Sequence, residues 1–205
     1  MSKGKKELAA AILAAVGSIG YLLRFIFELT SYVIKIKYED AILFGLIPCL
    51  LIAAFAVILL MGDRLKCFVA GIGACTVTLY SLIVAVSGMS AEDFEDGGSI
   101  LVLGTGLVLS VVYLLGRVGI IRHKTPVCVI TLLNCLLYFL LTVVSIYIYV
   151  TGSETLSSYY GFLGSVLGLT FFYIAVTVSS FSLEGKKREK KPELPENKEE
   201  NPLEM

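Results

Sequence analysis

Tryptophan is absent from this 205-residue chain, and histidine occurs once. The lone His123, between Arg122 and Lys124, has no second histidine with which to hold a metal, and it reads as part of a positive flank. Five cysteines are present, Cys49, Cys67, Cys75, Cys128 and Cys135, and none forms a Cys-x-x-Cys pair. Neither a zinc site nor a redox dithiol is signalled, and each cysteine reads as a small hydrophobe in or beside an apolar run. No glycine-rich phosphate loop and no nucleophile-elbow serine occurs. The acidic cluster Glu92, Asp93, Glu95 and Asp96 lacks the oxygen spacing of a calcium loop. Formal net charge is zero, so no basic excess points to nucleic acid. The expectation is a non-enzyme with no metal, no cofactor and no nucleic-acid partner.

What is present is hydrophobicity. Fifty-seven per cent of the residues are hydrophobic, against about 45–50% apolar in ordinary soluble domains. Mean hydropathy is +0.85. Six apolar runs, 8–34, 41–61, 67–87, 99–121, 127–150 and 159–181, are separated by short polar stretches. A helix needs about 20 apolar residues to cross a bilayer. Runs this long without alternation are helices, because lipid cannot satisfy an open backbone. The predicted fold is all-α: a polytopic membrane protein with six transmembrane helices in residues 1–181. Residues 182–205, rich in charge and proline, form a predicted disordered cytoplasmic tail.

The basic residues alternate in density along the chain. Lys3, Lys5, Lys6, Arg64, Lys66, Arg117, Arg122, Lys124, Lys186, Lys187, Arg188, Lys190, Lys191 and Lys198 fall on one set of flanks, and only Lys35 and Lys37 on the other. The positive-inside rule therefore predicts that both termini are cytoplasmic. A plasma-membrane location goes with this reading. The first run continues well past the small stretch Ala15, Val16 and Gly17, so it reads as a span, not a cleaved leader. Lys186, Lys187, Arg188, Lys190 and Lys191 directly follow the last run. They read both as an ordinary stop-transfer flank and as contacts to anionic lipid headgroups.

The first run also carries the two ionisable groups set deepest in an apolar stretch, Arg24 and Glu28. At helical spacing, Ala10, Ala14, Gly17, Tyr21, Arg24, Glu28 and Ser31 share one face, while Leu8, Ile12, Ile19, Leu22, Leu23 and Ile26 take the other. The small and polar face is predicted to meet protein and the apolar face lipid. Arg24 and Glu28, one turn apart, form a predicted ion pair. Two locations fit it, the bundle interior and the headgroup zone, because the run is longer than one crossing needs.

Similar stripes run through the other odd-numbered runs. Gly73, Thr76, Tyr80 and Ser87 share a face of the third; Thr131, Asn134, Tyr138, Thr142, Ser145 and Tyr149 share one of the fifth. The even runs offer small faces: Gly106, Ser110, Tyr113 and Arg117 in the fourth, and Gly161, Ser165 and Gly168 in the sixth, where Gly164 and Gly168 fit the close-packing pattern. Asn134 reads as a contact in a polar cavity or as an interhelical hydrogen bond. Pro48 reads as a tolerated kink or as a break that frees carbonyls. Tyr21, Tyr80 and Tyr138 recur 59 and 58 residues apart, and Gly45, Gly104 and Gly164 recur 59 and 60 apart. These spacings suggest three pseudo-repeated helical hairpins.

Two functions fit this pattern. One is a non-catalytic component that acts through helix contacts with other membrane proteins or with a second copy, with Gly17, Gly161, Gly164 and Gly168 as packing residues. The other is a small-solute transporter or channel whose polar interior is lined by Arg24, Glu28, Tyr21, Tyr80, Asn134 and Tyr138. Both place the chain in a lipid bilayer.

Overall fold

The computed structural model describes residues 3–30, 41–61, 63–88, 98–121, 123–151 and 156–183. Six helices account for nearly all of them: α1 (Lys3–Thr30), α2 (Ile47–Leu60, entered through a π-helical turn, Ile42–Leu46), α3 (Asp63–Gly88), α4 (Gly98–Val118), α5 (Lys124–Thr151) and α6 (Leu156–Ser180). No strand occurs among the described residues. Four stretches are long and apolar enough to cross a membrane: Gly4–Leu29, Ile42–Leu60, Lys124–Val144 and Leu163–Ser180. In α3 and α4 the apolar parts among the described residues are shorter, Phe68–Val84 and Gly104–Val118. The acidic cluster around Glu92, Lys35 and Lys37, and the tail lysines from Lys186 onward lie outside the described residues.

Each helix packs on its neighbour in sequence, and α1 closes the ring against α6. Neighbours run antiparallel. Gly45, before α2, lies on Phe25 of α1; Tyr80 of α3 reaches back to Leu43; Gly71 of α3 lies on Leu114 of α4. The start of every odd helix and the end of every even one therefore share one end of the bundle, called here the terminal end.

The tightest crossing is between α1 and α6. A Cβ added to Gly17 would stand 2.8 Å from the Gly168 carbonyl oxygen, and one on Gly20 2.8 Å from that of Gly164. Only hydrogen fits at these four positions, so the two backbones touch. Gly17, Gly164 and Gly168 were expected packing residues; Gly20 joins them, and the surroundings of Gly161 are not described. Inside the ring, Phe55 of α2 meets Phe172 of α6 edge-on at 5.2 Å, and Tyr173 stacks at 4.2 Å from Tyr138 of α5. Ile52, Leu59, Ala70, Ala74, Val77, Leu109 and Tyr113 complete the core.

Facing outward are Leu8, Ile12, Ile19, Leu22, Leu23 and Ile26 of α1, and Leu132, Leu133, Leu136, Phe139, Leu140 and Val143 of α5. Apolar surface this continuous is a liability in water and suits lipid. The stripe predicted for α3 is not the buried one. Thr76 is exposed and Gly73 and Tyr80 are half-buried, whereas Ala70, Ala74, Val77 and Thr78 are buried. The Thr76 hydroxyl donates to the Ile72 carbonyl one turn back, 3.0 Å away, so its polarity costs little on an outward face. Small apolar residues take the inward face because they fit against the aromatic core.

Candidate functional site

Polar side chains gather at three levels of the bundle. Furthest from the terminal end, Arg24 Nε donates to Glu28 Oε1 at 2.6 Å, and Arg24 Nη1 donates to Ser165 Oγ of α6. The guanidinium also stands 5.0 Å over the ring of Phe44 in the π-helical turn. The two side chains are 21% and 17% exposed, so the pair is lodged against α2 and α6. Glu28 Oε2 is buried and has no hydrogen-bond partner.

Tyr80 sits near that level and answers a backbone need. In the π-helical register an N–H bonds the carbonyl five residues earlier, as Ile47 does with Ile42. The next such donor is residue 48, a proline without an N–H, which leaves the Leu43 carbonyl open. The Tyr80 hydroxyl donates to that carbonyl at 2.8 Å. The break at Pro48 thus frees a carbonyl, and a neighbouring helix satisfies it.

The middle level is a cluster of phenols and amide. Around Tyr21 stand Arg24, Tyr138, Ser81 and Tyr80. Tyr80 of α3 and Tyr138 of α5 are thus each near Tyr21 of α1. Asn134 and Tyr138, one turn apart on α5, are both buried, and so is Tyr173. Thr105 Oγ1 donates to Asn134 Oδ1 at 3.3 Å. The next residue, Gly106, lies beneath both phenols: its missing Cβ would collide with the Tyr173 hydroxyl and stand 3.3 Å from that of Tyr138. Asn134 Nδ2 is buried without a hydrogen-bond partner, and the buried hydroxyls of Tyr138 and Tyr173 bond no third residue and have only each other.

The terminal end holds a charged cluster that the sequence reading missed. Arg117 and Glu7 are only 6% and 4% exposed. Arg117 Nη1 lies 3.5 Å from Glu7 Oε1, its Nε donates to the Tyr113 hydroxyl at 3.0 Å, and its Nη2 donates to Ser179 Oγ. Ser182 Oγ donates to Glu7 Oε1 at 3.2 Å, and Lys6 Nζ donates to the Phe181 carbonyl at 3.1 Å. Arg117 Nη2 also approaches the Ser179 carbonyl, 3.4 Å away at the end of α6, and Lys6 takes the Phe181 carbonyl just beyond that end, where cations suit the helix dipole. Local sequence fixes Arg117 here. Gly119, at φ +83°, ends α4 in a Schellman turn, with Ile120 N–H on the Leu115 carbonyl and Gly119 N–H on that of Gly116.

Glu7 was hidden among Lys3, Lys5 and Lys6, and Arg117 among the basic flanks. Periodicity was the available signal: Glu7 extends the stripe of Ala10, Ala14 and Gly17, and Arg117 that of Gly106, Ser110 and Tyr113. Between the clusters, α5 and α6 are joined by hydroxyls. Thr142 and Thr170 lie 2.8 Å apart, Thr131 and Ser180 3.0 Å, and Thr177 donates to the Thr131 carbonyl at 2.9 Å.

The fold and these clusters define an all-helical protein with apolar helices compatible with integral membrane insertion and with its polar groups turned inward. The chain matches no protein-family model, no curated protein and no solved structure.

Proposed function

We propose that the chain is a six-span, multi-pass protein of the cell membrane that takes a small polar solute into its interior and passes it across the bilayer without covalent chemistry. Both termini lie in the cytoplasm in this reading, and Lys186, Lys187, Arg188, Lys190 and Lys191 meet headgroups there. The observation that carries it is the buried polar cluster of Asn134, Tyr138 and Tyr173, in which Asn134 Nδ2 has no hydrogen-bond partner and the two phenol hydroxyls have only each other. Leaving a buried polar group unsatisfied costs about 1–3 kcal/mol. A ligand that bonds them offsets that cost.

The alternative, a component that docks on other membrane proteins or on a second copy, draws on small-residue faces. Short loops and scarce intramembrane charge also favour it; Gly17, Gly20, Gly164 and Gly168 lie in the contact between α1 and α6 and so offer no open face to a partner. Native mass spectrometry of the purified protein separates the two readings. A bound small molecule, present in the wild type and lost in Asn134→Leu, is the expected result. A stoichiometric protein partner or a homo-oligomer with no bound small molecule overturns it.

A further inference from the structure

The helices are not fastened to one another alike. α4, α5 and α6 are joined by side chains at several levels. Besides the three hydroxyl contacts between α5 and α6, Tyr113 Oη of α4 and Ser179 Oγ of α6 stand 2.8 Å apart, and Thr105 of α4 bonds Asn134 of α5. Shifting any of these three helices breaks several hydrogen bonds in a place where lipid replaces none of them. The three form a frame.

α1 is held differently. Its middle meets α6 backbone to backbone, and Gly17, Gly20, Gly164 and Gly168 put no side chain between the helices. Ala10, Ala11 and Ala14 continue this small face toward the terminal end. Interlocking side-chain ridges fix the angle at which two helices cross, and a face of hydrogens and methyls has shallow ridges. Polar side chains tie α1 to the frame near its ends. At the terminal end these are Glu7 to Arg117 and Ser182, and Lys6 to the Phe181 carbonyl; at the far end, Arg24 to Ser165. Tyr21, near Ser81 of α3, lies beside the crossing, where a pivoting helix moves least.

The terminal contact is built to part. Glu7 Oε1 stands 3.5 Å from Arg117 Nη1, beyond the roughly 2.7–2.9 Å of a charge-assisted hydrogen bond. Arg117 keeps Tyr113 and Ser179 on the frame when Glu7 leaves. Glu7 lies one turn from the exposed Gly4, so it leaves toward water.

Resting on the solute-passage reading above, we propose that α1 is a rocking helix that pivots on its glycine crossing with α6, with the Glu7–Arg117 contact as the catch that keeps the terminal end closed. Released, the first turns of α1 swing away from α4, and the turns beyond the crossing swing the opposite way. This structure, fastened at both ends, is the closed state.

Pulsed electron resonance distances test this on the full chain in nanodiscs, in a background without native cysteines. Spin-label pairs are placed at Gly4 and Val118 across the terminal end, at Ile26 and Gly104 across the far end, and at Val118 and Phe139 within the frame. Gly4, Val118, Ile26 and Phe139 are exposed, and Gly104 has open space beside it. Glu7→Gln is expected to lengthen the first distance by several ångströms, shorten the second and leave the third unchanged. Ser182→Ala, which removes one bond to Glu7, is expected to shift them in the same directions and serves alone if Glu7→Gln does not fold. A longer first distance with an unchanged second means that the first turns merely fray, and overturns the pivot. A changed third distance means that the frame itself loosens, and also overturns it. So do three distances unchanged in the variants. The bound molecule is read separately by native mass spectrometry, so the pivot can fall while the solute reading stands.

Discussion

A polar atom in an apolar bundle needs a partner supplied by design of the chain, because lipid offers none. Tyr80 shows this at the level of a single residue. Its hydroxyl occupies the carbonyl that Pro48 leaves open in the π-helical register. Tyr80→Phe is therefore expected to lose about 1–2 kcal/mol of stability. Pro48→Ala restores an N–H that can reach Leu43, so in that background Tyr80→Phe should cost clearly less. Equal losses in both backgrounds, measured by thermal unfolding, would show that the tyrosine serves another purpose. The sequence singled out Pro48 and Tyr80 separately. It could not join them, because the bond spans 37 residues and depends on a π-helical turn that no spacing announces.

Arg24 and Glu28 were more legible, since a charged pair inside an apolar run has few places to go. Which of the two locations it takes was not, because that depends on Phe44 and Ser165. With both side chains lodged against other helices, removing one leaves its partner uncompensated, at a cost of about 3–5 kcal/mol if the pair is dry. Arg24→Leu and Glu28→Leu are each expected to destabilise more than the double mutant does. Simply additive losses would instead describe two independent, solvated groups.

At the level of whole helices, period and residue size did most of the work. The described members of the stripes on α1, α4 and α5 turn inward as their spacing implies, because each combines small residues with polar ones that need partners. On α3 the rule failed at Thr76, whose hydroxyl is satisfied within its own helix and so does not need an interior. The charged cluster at the terminal end shows the opposite failure, since flank charges were read as solvated. Arg117 ties the end of α4 to α6, and through Glu7 to α1. Loss of one member should loosen that whole end. Cys128 reports on it directly: it is nearly buried, and its Sγ donates to the Ser180 carbonyl at 3.6 Å, next to Ser179. In a chain keeping only this cysteine, Glu7→Gln is expected to speed alkylation of Cys128 and to lower the Tm. Adding Arg117→Met should recover part of the loss, since no buried charge is then left alone. If Glu7→Gln changes neither alkylation nor Tm, the cluster does not hold the helices together.

At the scale of the molecule, the ring of antiparallel helices gives the basic flanks a common address. Lys6, Arg117 and Lys124 stand at the ends of three different helices, and the alternation brings all three to the terminal end. That arrangement is what the positive-inside rule requires of a protein with both termini in the cytoplasm. Which side this end faces is a matter for labelling. In a background without native cysteines, single cysteines at Ser90 and Ser153 are expected to react with an impermeant thiol reagent added to intact cells. A cysteine at Ser2 should react only after the cells are opened. Ser182 would make a poor reporter, because it is buried against Glu7 and would resist labelling from either side. Labelling of the Ser2 position in intact cells, with Ser90 and Ser153 protected, would invert the orientation. Labelling of Ser90 and Ser153 from opposite sides would mean that α4 and α5, which separate them, do not make two crossings, and the six-span reading would fail with it.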